Sequence, residues 1–541
     1  MKAFALRDLE NLFLPVLRNC VNMAELKGIH ANIVKHGLTQ SSFLLTKMVM
    51  ICDKKGDSEY AGMLFKKVSD PNVFLCNAVM RAYVHTCFYI SAVEVFKQMM
   101  LNARDDVHAG LDEYTLPLMV KACGGLGLVE LGREVHGFGW KIGLVWNLVM
   151  GNGLIDMYMK LGCVECARKV FDEMPERDVV SWNGVVSGYL RVGCVGIARH
   201  LFDEMEGKTV VSWTGMISGY VRIGRYDEAI GVFNEMQREG VQPDEVCVVT
   251  VLTACAQVGA FEVGKWMYTY ADKSGFLEKT FIANAFIEMY AKCGSIDEAW
   301  RLFKLMKCRD VISWSTMIGG LANHGKAREA IELFKEMEAE NVEPNGITFL
   351  GLISACLHAG FTDEGLVYFE SMTKEYRVEP TIEHYGCIVD ILGRAGKFDQ
   401  ALSLIEKMPM QPDSKIWGSL LSSCRTHCNL EVAVTAMQHL LELEPDDTGN
   451  YVLLSNIYAK LGKWEDISRL RRCIRSRSMK KTPGCSLIEV DNVVEEFVSG
   501  DYSKPFSKEI FWLLEFLSFQ EGMKNEFCAT LNLSEDGTDC F

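Results

Sequence analysis

The chain contains few residues that interrupt helices and no apolar run long enough to cross a membrane. Only 12 of its 541 residues are proline, which favours a mostly helical chain because proline breaks helix interiors. No stretch of eighteen or more uncharged apolar residues occurs, so the sequence predicts no transmembrane helix. The apolar share of 49% argues against a disordered chain. We therefore expect a large buried core and no membrane partner.

The sequence signatures of catalysis and metal binding are also missing. A zinc deaminase needs His-x-Glu followed by Pro-Cys-x-x-Cys, and none of the 11 histidines has a glutamate two residues later. The one Cys-x-x-Cys, at Cys163 and Cys166, has no second such pair, which indicates structural thiols. The 20 cysteines are scattered through apolar runs, which favours a reducing compartment. We expect no enzymatic activity, no metal and no cofactor.

The chain has no overall basic excess, which at first argues against a nucleic-acid partner. Its net charge is -15. However, residues 482–541 hold twelve acidic and three basic side chains, whereas 467–481 hold seven basic and no acidic ones. The total charge therefore says little about any one face. The basic run could contact RNA phosphate or a partner, or it could be a solvated helix face.

One phrase recurs along the chain. It reads "VVSWNGVVSGYLRVG" from Val179, "VVSWTGMISGYVRIG" from Val210 and "VISWSTMIGGLANHG" from Val311. Two apolar patterns of helical period flank each glycine, so each repeat predicts a helical hairpin, and stacked hairpins share one core. The repeats, mostly 31 or 35–36 residues long, begin near Ser42, Val73, Glu113, Leu148, Val179, Val210, Glu245, Thr280, Val311, Gly346 and Ile382.

Positions 5, 9 and 13 of a repeat lie on one face of its first helix because they are four residues apart. Position 5 is often polar and position 13 is often basic. We interpret this face as a binding surface whose cations contact phosphate; ordinary solvated positions are the alternative. The tryptophan at position 4 lies in an apolar pattern and is predicted to be core. The cations are Lys54, Lys160, Arg191, Arg222, Lys292 and Arg394.

The repeated "VVSWN…GY…G…A…LF…M" phrase resembles the plant pentatricopeptide repeat family, in the subclass with alternating long and short repeats. Two further features carry the resemblance: Pro243-Asp244 before the next repeat, and a long variant with Ala254-Cys255 and Gly264. The resemblance implies an all-α, right-handed superhelical solenoid of helical hairpins. Tetratricopeptide scaffolds are the structural alternative, but they repeat at 34 residues, and the mixed spacing argues against them.

The resemblance also divides the chain. Residues 1–41 are an N-terminal segment with a partial first repeat, and 42–413 are the tandem array. "SKIWGSLLSSCRTHCNLEVA" opens a region, 414–481, that looks like the family's E-type extension. Residues 482–541 look like an E+-like acidic tail, although Leu487 stands where a tryptophan is expected. Many relatives continue into a DYW deaminase domain, whose motifs this sequence lacks.

For RNA, the resemblance implies one base per repeat, read by position 5 and the last residue, because single-stranded bases expose their Watson–Crick edges. Read from N to C, the pairs imply A, U, U, a pyrimidine, G, U and A, with the RNA running 5′ to 3′. The long repeats from Glu113, Glu245 and Gly346 lack a polar fifth residue and are expected to be spacers. The pairs are Thr46/Asn72, Asn77/Asp112, Asn152/Asp178, Asn183/Thr209, Thr214/Asp244, Asn284/Asp310 and Ser315/Asn345.

By resemblance, the chain is an adaptor that binds single-stranded organellar RNA and selects a cytidine for C-to-U editing. A deaminase-bearing pentatricopeptide protein, or editing cofactors of the MORF/RIP type, would act in trans. Two alternatives stay open: an adaptor for splicing, stability or processing of a transcript, and a protein–protein scaffold. We expect a location in the mitochondrion, with the chloroplast as the alternative.

Overall fold

The structure, a computed structural model, describes residues 2–102, 112–445, 447–476, 485–490, 493–498, 503 and 508–517. Nearly all of them are helical, and the expected all-α solenoid of helical hairpins is confirmed. The chain divides into two compact units, Met1–Thr250 and Val251–Phe541. Among the described residues, no helix combines the length and apolarity needed to cross a membrane.

In the first compact unit, the first helix of a repeat contacts its own second helix and the first helix of the next repeat. The helices are α1 (Lys2–Arg18), α2 (Met23–Lys35), α3 (Ser42–Lys55), α4 (Ser58–Lys66), α5 (Val73–His85), α6 (Tyr89–Asn102), α7 (Thr115–Leu126), α8 (Val129–Lys141), α9 (Leu148–Lys160), α10 (Val164–Glu173), α11 (Val179–Arg191), α12 (Val195–Glu204), α13 (Val210–Arg222) and α14 (Tyr226–Arg238), with a 3₁₀ helix at Leu144–Trp146. For example, α11 contacts α9, α12 and α13. This pattern gives successive repeats a shared core.

The second compact unit repeats the arrangement. Its helices, the first of which starts before the boundary, are α15 (Glu245–Val258), α16 (Phe261–Lys273), α17 (Thr280–Lys292), α18 (Ile296–Leu305), α19 (Val311–Asn323), α20 (Ala327–Ala339), α21 (Gly346–Ala359), α22 (Thr362–Lys374), α23 (Ile382–Arg394), α24 (Phe398–Glu406), α25 (Ser414–His427), α26 (Leu430–Leu443), α27 (Thr448–Lys460) and α28 (Trp464–Ser476), with a 3₁₀ helix at Phe276–Glu278. Here α19 contacts α17, α20 and α21. The hairpins continue through the extension to α28, because α25 contacts both α26 and α27 and α27 contacts α28.

The Val210 repeat shows why this sequence makes a hairpin. Gly224 follows α13 with φ of 77°, a left-handed conformation that ends the helix at little cost only for glycine. On α14, Ala229, Phe233 and Met236 are all buried. These three residues recur at helical spacing, so one face of the second helix fills the core, as the sequence predicts.

The position-4 tryptophan belongs to the core and joins successive repeats. Trp213 and Trp314 are 3% and 0% exposed. Each packs edge-on against a phenylalanine from the second helix of the preceding repeat: Phe202 at 4.8 Å and Phe303 at 5.1 Å between ring centroids. Edge-to-face packing is a favoured geometry for aromatic pairs. The core interpretation of these two tryptophans is confirmed.

A small β-hairpin follows the helices, and the all-α expectation did not include it. Strands β1 (Cys485–Val490) and β2 (Val493–Val498) pair antiparallel, with Cys485 opposite Val498 and Val490 opposite Val493. Another helical stretch covers 508–517. Most of the predicted acidic tail, and residues 477–481 of the basic run, lie outside the described residues.

Candidate nucleic-acid interface

The last residue of a reading pair caps the first helix of the next repeat. Asp178 accepts a hydrogen bond from the backbone N–H of Ser181 at 2.9 Å, and Asp310 accepts one from Ser313 at 2.9 Å. The first N–H groups of a helix lack partners within the helix, and short polar side chains satisfy them. Capping therefore holds the last residue of these pairs in a fixed position.

That position lies beside the fifth residue of the same repeat. Five of the seven predicted pairs are joined by a hydrogen bond, in which the amide or hydroxyl of position 5 donates to the last residue. The contacts are Asn77 Nδ2 to Asp112 Oδ1 (2.9 Å), Asn152 Nδ2 to Asp178 Oδ1 (3.1 Å), Thr214 Oγ1 to Asp244 Oδ1 (3.5 Å), Asn284 Nδ2 to Asp310 Oδ1 (3.1 Å) and Ser315 Oγ to Asn345 Oδ1 (3.3 Å). Which base each pair reads stays a prediction.

Two predicted pairs are not joined in this way. Thr46 donates its hydroxyl to the carbonyl oxygen of Ser42 at 2.6 Å, while Asn72 caps α5. Thr209 contacts Ser212 at 3.2 Å, and within the described part of the chain no hydrogen bond links it to Asn183. These two pairs therefore lack the direct contact between their members that the other five pairs have.

The capping aspartates are held in their charged form. Burial acts to raise the pKa of the Asp178 carboxyl, but hydrogen bonds from Ser181 and Asn152 outweigh it and lower the pKa. The pKa of Asp310 is lowered by the same balance, with Ser313 as the main donor. In both, the bonds converge on Oδ1. The Oδ2 atom of each carboxylate takes part in none of these bonds, so it keeps acceptor capacity for a ligand.

A row of exposed apolar side chains borders these pairs, and sequence reasoning missed it. In ten of the eleven repeats, position 2 of the repeat, at or near the start of its first helix, carries a large apolar side chain that is 45–72% exposed. Position 2 lies three residues before position 5, on the same side of the helix. The signal for it in the sequence is the apolar residue before "SW", to which the sequence analysis gave no role. The residues are Phe43, Phe74, Tyr114, Val149, Val180, Val211, Val246, Phe281, Ile312 and Ile347.

In the first compact unit, one cleft combines both features. It has a volume of about 510 Å³, and its lining includes Phe74 and Tyr114 together with the pair Asn77 and Asp112. Two aromatic side chains thus border one hydrogen-bonded pair. Such a cleft offers apolar surface for the face of a planar ring and polar groups for its edge.

The position-13 cations are all exposed, but they fall into two groups. Lys160 pairs with Asp156 at 2.7 Å, and Lys292 pairs with Glu288 at 2.8 Å. Arg394 likewise pairs with Asp390 at 2.9 Å. In these repeats the acid lies at position 9, four residues before the base, which is the favourable order on a helix. Within the described residues, Lys54, Arg191 and Arg222 form no ion pair, so their charge is the more available to phosphate.

The thiols behave as core residues where they are buried. Burial raises the pKa of Cys52 and Cys247 to about 12, so both stay protonated at neutral pH. Cys163 and Cys166 are half-buried. Across the described ranges, no three His, Cys, Asp or Glu side chains are grouped so that they could hold a metal ion.

Comparison with known proteins identifies the family. The PPR repeat model matches residues 74–102, 152–179, 180–210, 281–311, 347–376 and 383–411, and the PPR repeat family model matches 208–257 and 309–358. Pentatricopeptide repeat-containing protein At2g20540 of Arabidopsis thaliana is 57% identical over 522 residues, covering 96% of this chain and 97% of the relative. The chain belongs to the pentatricopeptide repeat family. An E motif model also matches residues 427–489, so this pentatricopeptide repeat protein carries the predicted type of extension.

Two further similarities are informative. The Arabidopsis thaliana pentatricopeptide repeat-containing protein At1g08070, named as chloroplastic, is 38% identical and covers 93% of this chain and 81% of its own length. The crystal structure of the maize pentatricopeptide repeat protein PPR10 has a TM-score of 0.57 at 17% identity, covering 85% of this chain and 80% of the maize chain. At that identity the match supports the solenoid fold alone.

Proposed function

We propose that this pentatricopeptide repeat protein binds single-stranded RNA one base per repeat and selects a cytidine in an organellar transcript for C-to-U editing. The observation that carries the proposal is the hydrogen-bonded pair of position 5 and last residue, formed in five repeats. Beside each pair stands an exposed apolar side chain at position 2. Together they supply an apolar surface for the face of a base and polar groups for its edge.

The chemistry of the Asn–Asp pairs matches uracil. In Asn152/Asp178, the amide nitrogen donates one hydrogen to Asp178 and keeps a second for a base carbonyl. The Oδ2 atom of Asp178, which the bonds from Asn152 and Ser181 do not use, is an acceptor for the N3–H of uracil. Cytosine has no hydrogen at N3, so it would set a lone pair against the carboxylate. The shorter side chains of Thr214 and Ser315 leave room for a purine.

The editing role rests on the extension rather than on the repeats. The match to an E motif over 427–489 and the lack of a His-x-Glu sequence support a deaminase supplied in trans, by a deaminase-bearing pentatricopeptide protein or through editing cofactors. One relative is named as chloroplastic, which supports an organellar location, either chloroplast or mitochondrion. The same interface could equally serve splicing or stability of a transcript.

Two experiments test this proposal. The first is a competition assay with the RNA tract A-U-n-U-Y-G-n-U-A against a scrambled RNA of the same composition; equal affinities would contradict base-by-base reading. The second is sequencing of organellar cDNA from a plant that lacks the protein. Loss of one C-to-U conversion supports editing, whereas retained introns or a missing transcript would assign the adaptor to splicing or stability instead.

A further inference from the structure

A third side chain contacts both members of some reading pairs, and the proposed code does not include it. In the Leu148 repeat, the hydroxyl of Ser181 lies 2.6 Å from Asn152 Oδ1 and 2.8 Å from Asp178 Oδ1. Ser181 is fully buried and stands at position 3 of the following repeat. It therefore contacts the reading pair from the buried side of the helix, where a base cannot reach it.

The same arrangement occurs with a threonine two repeats earlier. In the Val73 repeat, the Thr115 hydroxyl lies 2.8 Å from Asn77 Oδ1 and 2.8 Å from Asp112 Oδ1. Thr115 is also fully buried. A hydroxyl at this site thus reaches the amide oxygen of the fifth residue whether a serine or a threonine supplies it.

The contact helps to hold the end of the amide that faces the base. An asparagine amide can rotate by half a turn and exchange its oxygen acceptor for its nitrogen donor. The Asp178 carboxylate accepts from Nδ2 and so sets this orientation, because a rotated amide would place its oxygen against a carboxylate oxygen. The Ser181 hydroxyl, by donating to Oδ1, adds a second bond that holds it. Asn152 Nδ2 then bonds to Asp178 at 3.1 Å and presents its second hydrogen to the ligand. A rotated amide would present an oxygen, which suits the N4 amino group of cytosine.

The Thr280 repeat has the same residue types but lacks the hydrogen bond from the third-position hydroxyl to the asparagine amide. In the Thr280 repeat the pair is again Asn–Asp, and the third-position residue is again a buried serine. The Ser313 hydroxyl contacts Asp310 at 2.9 Å, but Asn284 Oδ1 is buried without a hydrogen-bond partner. Ser181 and Ser313 also accept equivalent bonds from the aspartate backbone N–H, at 3.3 and 3.2 Å. The two serines therefore share their capping role and differ in the contact to the amide.

We propose that Ser181 is a positioning residue whose hydroxyl reinforces the orientation of the Asn152 amide set by Asp178 and thereby sharpens the choice of uracil over cytosine at that base. Thr115 has the same role for Asn77. The inference rests on the proposed function, since it presupposes that the pairs read bases. It makes specificity depend on a residue of the next repeat as well as on the two residues of the code.

The test compares two serine-to-alanine variants of the full-length chain. Affinity is measured for RNAs that carry U or C opposite the Leu148 repeat, and separately opposite the Thr280 repeat. Loss of one hydrogen bond corresponds to roughly a fivefold change, so Ser181→Ala should lower the U-to-C preference at its base by about that factor. Ser313→Ala should leave the preference at its own base unchanged. Ser181→Thr should restore the preference, as Thr115 does naturally.

The outcomes separate the inference from the proposed function. If the wild-type chain shows no preference between U and C at either base, the proposed reading of bases is wrong. If the wild type discriminates but Ser181→Ala does not reduce the preference, or reduces it no more than Ser313→Ala does, the serine acts only as a helix cap and the inference is overturned. Failure of Ser181→Thr to restore the preference would also overturn it.

Discussion

Replacing Thr214 by asparagine should change the base read by the Val210 repeat from G to U. Thr214 is 7% exposed and makes a long hydrogen bond of 3.5 Å to Asp244. Asn284 occupies the equivalent site of the Thr280 repeat, is 6% exposed, and bonds to its aspartate at 3.1 Å. The site therefore accepts an asparagine without disturbing the core. The variant recreates the Asn–Asp pair that matches uracil.

The magnitude follows from the hydrogen bonds that change partners. A mismatched base leaves a polar group at the interface unpaired, which costs about 1–3 kcal/mol. Since 1.4 kcal/mol is a tenfold change in affinity, the variant should bind the U-containing RNA about 5 to 150 times more tightly than the G-containing one. Cys247, at position 3 of the next repeat, supplies a thiol in place of the hydroxyl of Ser181. Adding Cys247→Ser should therefore sharpen the new preference further.

The assay is a competition between RNAs that differ only at that nucleotide. Thr214→Val is the matched control, since it keeps the branched shape but removes the hydroxyl. It should lose the preference for G without gaining one for U. An unchanged order of bases in Thr214→Asn would refute the pairing of position 5 with the last residue.

Three further predictions concern charge, pH and packing. Arg222→Ala should flatten the salt dependence of RNA binding by about 0.7 in log–log slope, and Lys292→Ala by less because Glu288 already neutralises that lysine; a wild-type slope in Arg222→Ala would contradict a phosphate contact. Because the pKa of Asp178 is lowered, its charged form stabilises the fold above the ordinary carboxyl pKa and ceases to do so as pH falls through the native value. Asp178→Asn should therefore lose less thermal stability than the wild type between about pH 5 and about pH 3; an equal loss would contradict this. Trp314→Ala should lower the free energy of unfolding, measured with denaturant, by about 3–5 kcal/mol. Trp182→Ala should lower it by less because Trp182 is only half-buried; equal losses would argue against the core role.

The periodic features of the fold could be predicted from sequence because each has one dominant physical cause. Gly224 ends a helix since its left-handed φ suits glycine. Ala229, Phe233 and Met236 are buried because they recur on one face. These effects act within one hairpin, so the sequence of that hairpin was enough to predict them.

Features that depend on neighbouring elements were harder to predict. The Lys160–Asp156 pair was readable from its spacing of four, yet we interpreted the lysine as a phosphate ligand or a solvated residue and did not predict the ion pair. Val211 is 65% exposed, although an apolar residue at this place in the pattern suggests a buried one. Whether it is buried depends on how the neighbouring repeat packs, which the residues of a single repeat do not show. The β1–β2 hairpin was missed because each strand has only six residues, which is too short for periodicity to distinguish a strand from a buried helical turn.

The capping role restricts which residues can serve as the second reader. A residue that must satisfy the first N–H groups of a helix is chosen from Asp, Asn, Ser and Thr, and the seven predicted pairs all end in Asp, Asn or Thr. Lys279 precedes α17 without a side-chain cap, and it ends a repeat whose fifth residue, Val249, is apolar and which we predict to be a spacer. Helix capping and base reading thus both require a short polar side chain at the last position of the repeat. A last residue can therefore vary between acid, amide and hydroxyl, which changes the base, but a change to an apolar residue would remove a helix cap together with the reader.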